Sequence, residues 1–135
     1  MARGGVDFKD ALVKTFTFKL DTGIVAADIG KAVAVTDKQE AGLGTTGDRL
    51  LGKLSQVEGD GYGSVDISGN LYLPYASGTV PTVGSAVVVD GAGNVKNDPG
   101  QAINESGSAT VTVVSKGRGI VLDVDTVNLI AVVAL

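Results

Sequence analysis

The amino-acid sequence predicts an all-β fold, a small antiparallel β-barrel or sandwich with an extended N-terminal arm. Three observations carry this reading. Apolar residues recur with period two, turn signals return at intervals of about 8 to 12 residues, and no segment holds a helical apolar stripe beyond two turns. That spacing suits roughly eight strands. Only Asp10 to Val13 has the makings of a short helix.

Residues 1–14 lack sustained alternation and carry Arg3, Lys9 and Lys14, so they read as the arm, and residues 15–135 as the β domain. From Thr15 the alternation is strict: Phe16, Phe18 and Leu20 fall on one face, Thr15, Thr17 and Lys19 on the other. Gly30 to Thr36 is a second, β-branched strand, followed by a polar loop from Asp37 to Asp48. A third run starts at Leu50 and stops at the Glu58-Gly-Asp-Gly61 turn signal. Between Tyr62 and Tyr75 the pattern predicts a hairpin. A loop of Ser68, Gly69 and Asn70 would pair Ile67 with Leu71 and Val65 with Leu73, keeping the apolar face together.

Pro74 and Pro81 bracket a connecting loop, and Gly84-Ser-Ala-Val-Val-Val-Asp90 then echoes Gly30-Lys-Ala-Val-Ala-Val-Thr36. The Asp90 to Asn94 turn sets Val89 opposite Val95. Asn97 to Ser108 has the composition of a surface loop, and strands resume at Thr110–Val114, Ile120–Val124 and Val127–Leu135. The last is apolar on both faces, with Leu129, Ala131 and Val133 on one and Ile130, Val132 and Ala134 on the other. Such a strand belongs in the middle of a sandwich or barrel, or under another subunit. Ile130 and Val132 are therefore the candidate subunit-interface residues.

Composition removes several chemistries. The 135 residues include no Cys, His or Trp, which excludes zinc sites built on Cys or His, Ser-His-Asp and Cys-His catalysis, and disulfides. Hydrophobic residues at 44% and charged residues at 19% suit a folded domain, while aromatics at 4% leave a core of Val, Ala, Leu and Ile. Arg3, Lys9, Lys14 and Lys19 against Asp7 and Asp10 give the first 20 residues a net +2; with the whole chain at -4, the remainder carries -6. A mildly basic arm thus precedes an acidic body. No apolar stretch of signal-peptide length precedes Asp7, and the longest apolar run, Leu129–Leu135, is far short of the ~20 residues that span a bilayer. A soluble protein made inside the cell is expected, with no membrane partner.

No motif rises to an active site. Gly42-Leu-Gly44-Thr-Thr-Gly47 matches the dinucleotide pattern G-x-G-x-x-G, but the preceding strand ends near Thr36 and no helix follows to receive a pyrophosphate. Asp60, Asp66, Asp90, Asp98, Asp123 and Asp125 lack the calcium-loop spacing, and Asp beside Gly is ordinary turn chemistry. Asp123 and Asp125 share a strand face in the manner of paired glycosidase carboxylates, without the aromatic platform sugars use. Lys116-Gly-Arg118 is a small basic turn on an acidic body, too narrow for nucleic acid. No metal, cofactor or nucleic-acid partner is expected.

Leu50 to Lys96 carries a recognisable succession: Leu-Leu-Gly-Lys-Leu-Ser-Gln-Val-Glu-Gly-Asp-Gly-Tyr-Gly-Ser-Val-Asp, then Gly-Asn-Leu-Tyr-Leu-Pro-Tyr-Ala, Pro-Thr-Val-Gly-Ser-Ala-Val and Gly-Asn-Val-Lys. With Gly117-Arg-Gly-Ile-Val-Leu-Asp-Val-Asp-Thr, it resembles the capsid decoration, or head cement, proteins of tailed double-stranded DNA bacteriophages. The resemblance covers about residues 24–135. It implies a small β-rich, non-enzymatic protein that binds the outside of the expanded head, often as a trimer, and resists internal DNA pressure. The implied partners are the major capsid protein and two further copies of this chain. The implied location is the virion capsid surface after synthesis in the host cytoplasm. The arm, through Arg3, Lys9 and Lys14, is the expected capsid contact. Two other classes stand beside this one. A virion or cell-surface module recognising glycans would expose Tyr62, Tyr72 or Tyr75 in a groove, and a small carboxylate enzyme would need a concave site with perturbed acids.

Overall fold

A computed structural model of the chain describes residues 13–99 and 116–135. It is all-β, as the alternation predicts. Among the described residues ten strands run in chain order: β1 (Lys14–Leu20), β2 (Ala32–Asp37), β3 (Glu40–Gly42), β4 (Gly52–Val57), β5 (Tyr62–Ser68), β6 (Asn70–Pro74), β7 (Val87–Val89), β8 (Val95–Asn97), β9 (Ile120–Asp125) and β10 (Ile130–Ala134). Five of them close a barrel in the order β1-β3-β2-β4-β5; β6-β10-β9 form a three-stranded sheet and β7-β8 a two-stranded ribbon. The first strand begins one residue before the expected boundary, because Lys14 already pairs with Ser68 and Val13 already packs on a core. Arg3, Lys9 and the expected strand Thr110–Val114 lie outside the described residues.

Two corrections follow from the pairing. The predicted β5–β6 hairpin does not form: β5 pairs with β1 and β4, whereas β6 pairs with β10. Gly69, at φ +97°, turns the chain out of the barrel, and its N–H and carbonyl are bonded to Leu135 instead of to a hairpin partner. The apolar alternation on either side of Gly69 is still satisfied, but by two separate cores. The second correction is β3, a short strand inside the expected polar loop. It runs parallel to β1 through Lys19↔Glu40 and Leu20↔Ala41 and so closes the barrel. The β7–β8 turn is as expected, with Val89 opposite Val95. Asp90 Oδ1 accepts from the N–H groups of Ala92 and Asn94 at 2.7 and 3.0 Å, the local turn chemistry that Asp supplies.

The inner core of the barrel is Leu20, Val33, Ala41, Leu54 and Val65. A second core lies between the barrel wall and the small sheets, built from Leu50, Leu71, Leu73, Val87, Val89, Val121, Ala131, Val133 and their neighbours. Strand β2 serves both. Val33 points into the barrel while Ala32 and Ala34 face the outer core, and all three are buried. Small side chains on the outer side of β2 let the second layer approach closely, which is how a chain poor in aromatics fills its interior.

One buried carboxylate stands in the connection from β1 to β2. Asp28 closes a single 3₁₀ turn, Ala26–Asp28, and accepts from Lys31 Nζ at 2.7 Å and from the Val25 N–H at 2.9 Å. The Lys31 bond first, then the Val25 bond, hold its carboxyl below the ordinary value. A depressed carboxylate stabilises the fold above its unfolded pKa, about 3.9, and that stabilisation is lost as the pH falls through the folded value. Asp28→Asn is expected to lower stability at pH 7 by about 1.5–3 kcal/mol, the worth of hydrogen bonding to a charged group. The gap between the two proteins narrows below about pH 4, read from urea midpoints at pH 7 and pH 3.

Candidate interaction surface

The last strand sits in the middle of its sheet, between β6 and β9. Its inward residues, Ala131 and Val133, are fully buried, while Ile130, Val132 and Ala134 face outward and are half-buried. Register places Pro74 and Tyr72 of β6 beside Ile130 and Val132. On the other flank a β-bulge intervenes, since Val132 pairs with Asp123 and Val133 with Val121. The extra residue, Leu122, is turned outward at 43% exposure, next to Ile120 at 53%. Tyr72, Ile120, Leu122, Ile130 and Val132 thus form one apolar sheet face, and neither core includes any of them. Two acids, Asp123 and Asp125, line its β9 edge, where Asp125 Oδ1 also accepts from the N–H groups of Val127 and Asn128.

A contiguous apolar sheet face of this kind is a candidate interaction surface. The structure therefore brings together Ile130 and Val132, which the sequence singles out, and adds Tyr72, Ile120 and Leu122. Alternation alone would put Leu122 on one face with Ile120 and Val124; the bulge separates it from Val124, which packs on the core, and sets it outward beside Asp123. Lys14 is not part of this patch. It is exposed on β1, opposite Ser68, and the Gly69–Leu135 bonds set it near the end of β10 remote from Ile130.

Tyr75 is buried and donates its hydroxyl to the Asp125 carbonyl at 3.2 Å. Tyr62 is partly exposed beside an open cleft of about 500 Å³ with Asp21, Glu58 and Asp60. Gly44 and Gly47 adopt positive φ in an irregular loop, where Asp48 Oδ2 accepts from the Thr45 N–H at 2.9 Å and no helix follows. Among the described residues no group of three or more acids is arranged to hold a metal ion, and no helix is long and apolar enough to cross a membrane.

Arg118 has a role that the sequence does not announce. Its guanidinium donates to the carbonyls of Leu50 at 3.1 Å, of Leu51 and of Ile67. Its backbone bridges Val87 through bonds of 3.0 and 3.1 Å. One residue thereby ties the barrel to the ribbon. Burial, and secondarily the charge of Arg49, pull its pKa downward, although a guanidinium stays protonated across the working range of any protein.

Fold and surface together define an all-β barrel protein with an apolar face on its satellite sheet. No family model, curated protein or solved structure matches the chain.

Proposed function

We propose that this protein is a capsid decoration protein that binds the outer surface of an expanded phage head and stabilises it against internal pressure. The observation that carries the reading is the apolar face of β6-β10-β9, a surface suited to burial against another protein on a small rigid barrel. The resemblance of residues 24–135 to head cement proteins supports the same reading. In this reading Ile130 and Val132 lie between copies of the chain in a trimer, and the arm with Arg3, Lys9 and Lys14 meets neighbouring subunits of the major capsid protein. A repeated shell multiplies each small contact, so modest single-site energies suffice.

Purified expanded heads imaged with and without added protein test this directly. New density at fixed positions on the shell is expected, together with greater resistance of the heads to heat. Val132→Lys, an outward-facing change, is expected to keep the β circular dichroism spectrum, to shift sedimentation from trimer to monomer, and to weaken head binding at least about tenfold. Heads that look identical with and without protein overturn the proposal. A trimer unchanged by Val132→Lys moves the subunit contact elsewhere.

A further inference from the structure

One end of the barrel is open. Along β1, Leu20 and Phe18 pack into the inner core, but Phe16, on the same face and opposite the fully buried Val65, is 52% exposed. On β2, Val33 is fully buried while Val35, opposite the buried Ala41, is 57% exposed. Burial therefore fades along inward-facing positions toward one mouth. There Val35, Leu51 and Ile67 line a groove of about 780 Å³.

Charge does not select what fills this groove. Lys116 Nζ lies 3.9 Å from Asp48 Oδ1, the Arg118 guanidinium is held by the Leu50, Leu51 and Ile67 carbonyls, and Arg49 has a partner of its own. What the groove leaves unsatisfied is aliphatic surface, so its occupant must bring apolar side chains.

The chain supplies such a segment at the lip. Strand β1 starts at this mouth: Lys14 pairs with Ser68, the residue after Ile67, and Val13 is already anchored on the outer core. Residues 1–12 therefore join the described structure beside the groove. Twelve extended residues reach up to about 40 Å, and Phe8, five positions before Val13, reaches about 17 Å, enough to cross a groove of this volume. Within those five positions the segment carries two large apolar side chains, Phe8 and Leu12, and its side-chain charges, Arg3 and Lys9 against Asp7 and Asp10, cancel. Residues 100–115 fit less well. They contain no aromatic, and the chain on either side of them is joined where the Gly117 N–H donates to Asp98 Oδ2 at 3.1 Å.

We propose that the barrel mouth is a docking site for the chain's own N-terminal segment, with Phe8 and Leu12 seated against Val35, Leu51 and Ile67. The inference concerns the free protein and does not rest on head binding. The tether makes the contact intramolecular, so modest apolar burial is enough to hold it. Arg3 and Lys9 stay outside the apolar floor, where the head-binding reading needs them.

The test uses the full-length chain, which has no Cys and no Trp of its own. The pair Phe8→Cys with Val35→Cys is expected to form an intramolecular disulfide under mild oxidation, at a rate independent of protein concentration and at least about tenfold above that of Val111→Cys with Val35→Cys. A single Val35→Trp substitution is expected to give the emission of a shielded indole in the full chain. Deleting residues 2–12, or adding Phe8→Asp, is expected to shift that emission to the red with the β circular dichroism spectrum unchanged. A folded double-cysteine protein that stays reduced, or that crosslinks between chains, overturns the proposal. So does faster bridging from position 111, or an emission that neither the deletion nor Phe8→Asp moves.

Discussion

Arg118→Ala is expected to lower the unfolding free energy by about 3–5 kcal/mol, measured from urea midpoints at neutral pH. The guanidinium satisfies the carbonyls of Leu50, Leu51 and Ile67 in a partly buried setting. Removing the donor while leaving the acceptors costs about 1–3 kcal/mol for each group that water cannot reach, and partial exposure trims the sum. The backbone bridge from Arg118 to Val87 survives the substitution, so the measurement isolates the side chain. Arg118→Lys is expected to recover little, because one ammonium cannot span acceptors that a planar fork reaches from fixed directions. Against a typical total of about 5–15 kcal/mol the loss is large. A change below about 1 kcal/mol would show that solvent replaces the guanidinium without penalty.

Gly52→Ala is expected to be comparably damaging, at about 3 kcal/mol or more. Gly52 opens β4 where that strand crosses β5, and a Cβ there would fall inside the contact radius of the Asp66 carbonyl oxygen and 3.1 Å from Ile67 Cα. These are backbone atoms of a paired strand, not the end of a side chain that can swing aside, so the β4–β5 ladder must open to admit the methyl group. Gly63 is confined in the same way, by the Gln56 carbonyl and by Leu20 Cδ1 at 2.8 Å. Gly59, with nothing within 4 Å of its would-be Cβ, supplies the control. Alanine there is expected to be neutral or slightly stabilising, since it restricts only the unfolded chain. Thermal melts of the two variants check both expectations. Equal melting temperatures would mean that the barrel yields at Gly52 more readily than its close backbone contacts imply.

Much of the strand content was legible because period-two burial is written locally. Phe18 and Leu20 turn inward as their spacing predicts, and Val89 meets Val95. Alternation says which face is buried but not which strand lies alongside. At Ser68-Gly69-Asn70 the hairpin and the crossover satisfy the same local pattern, and the choice falls to β10, which enters more than 50 residues later in the chain. The short β3 is hidden because three residues are too few to show a period, although it pairs with the neighbouring β2 as well as with β1. Arg118 looks like a solvated turn residue because its acceptors, Leu50, Leu51 and Ile67, lie 51 to 68 positions away. Only the glycines on either side of it, Gly117 and Gly119, hint that the backbone there is tightly confined. The exposed ends of the Phe16 and Val35 rows were equally unreadable, since a barrel's height at each position depends on strand stagger and not on composition.

The departure of the chain at Gly69 also governs the order in which the molecule can be made. Barrel strands β1 to β5 are complete once Ser68 has emerged, so the barrel can close while the rest is still being synthesised. Strand β6 then waits about 60 residues for β10, with Leu71 and Leu73 lacking the sheet partner that buries them. During that interval the outer side of β2 and the newly made β6 present sticky aliphatic surface. The alanines at 32 and 34 keep part of it small. Long-range closure of this kind folds on the slow side, and the price of the crossover is a growing chain vulnerable to aggregation until β10 arrives.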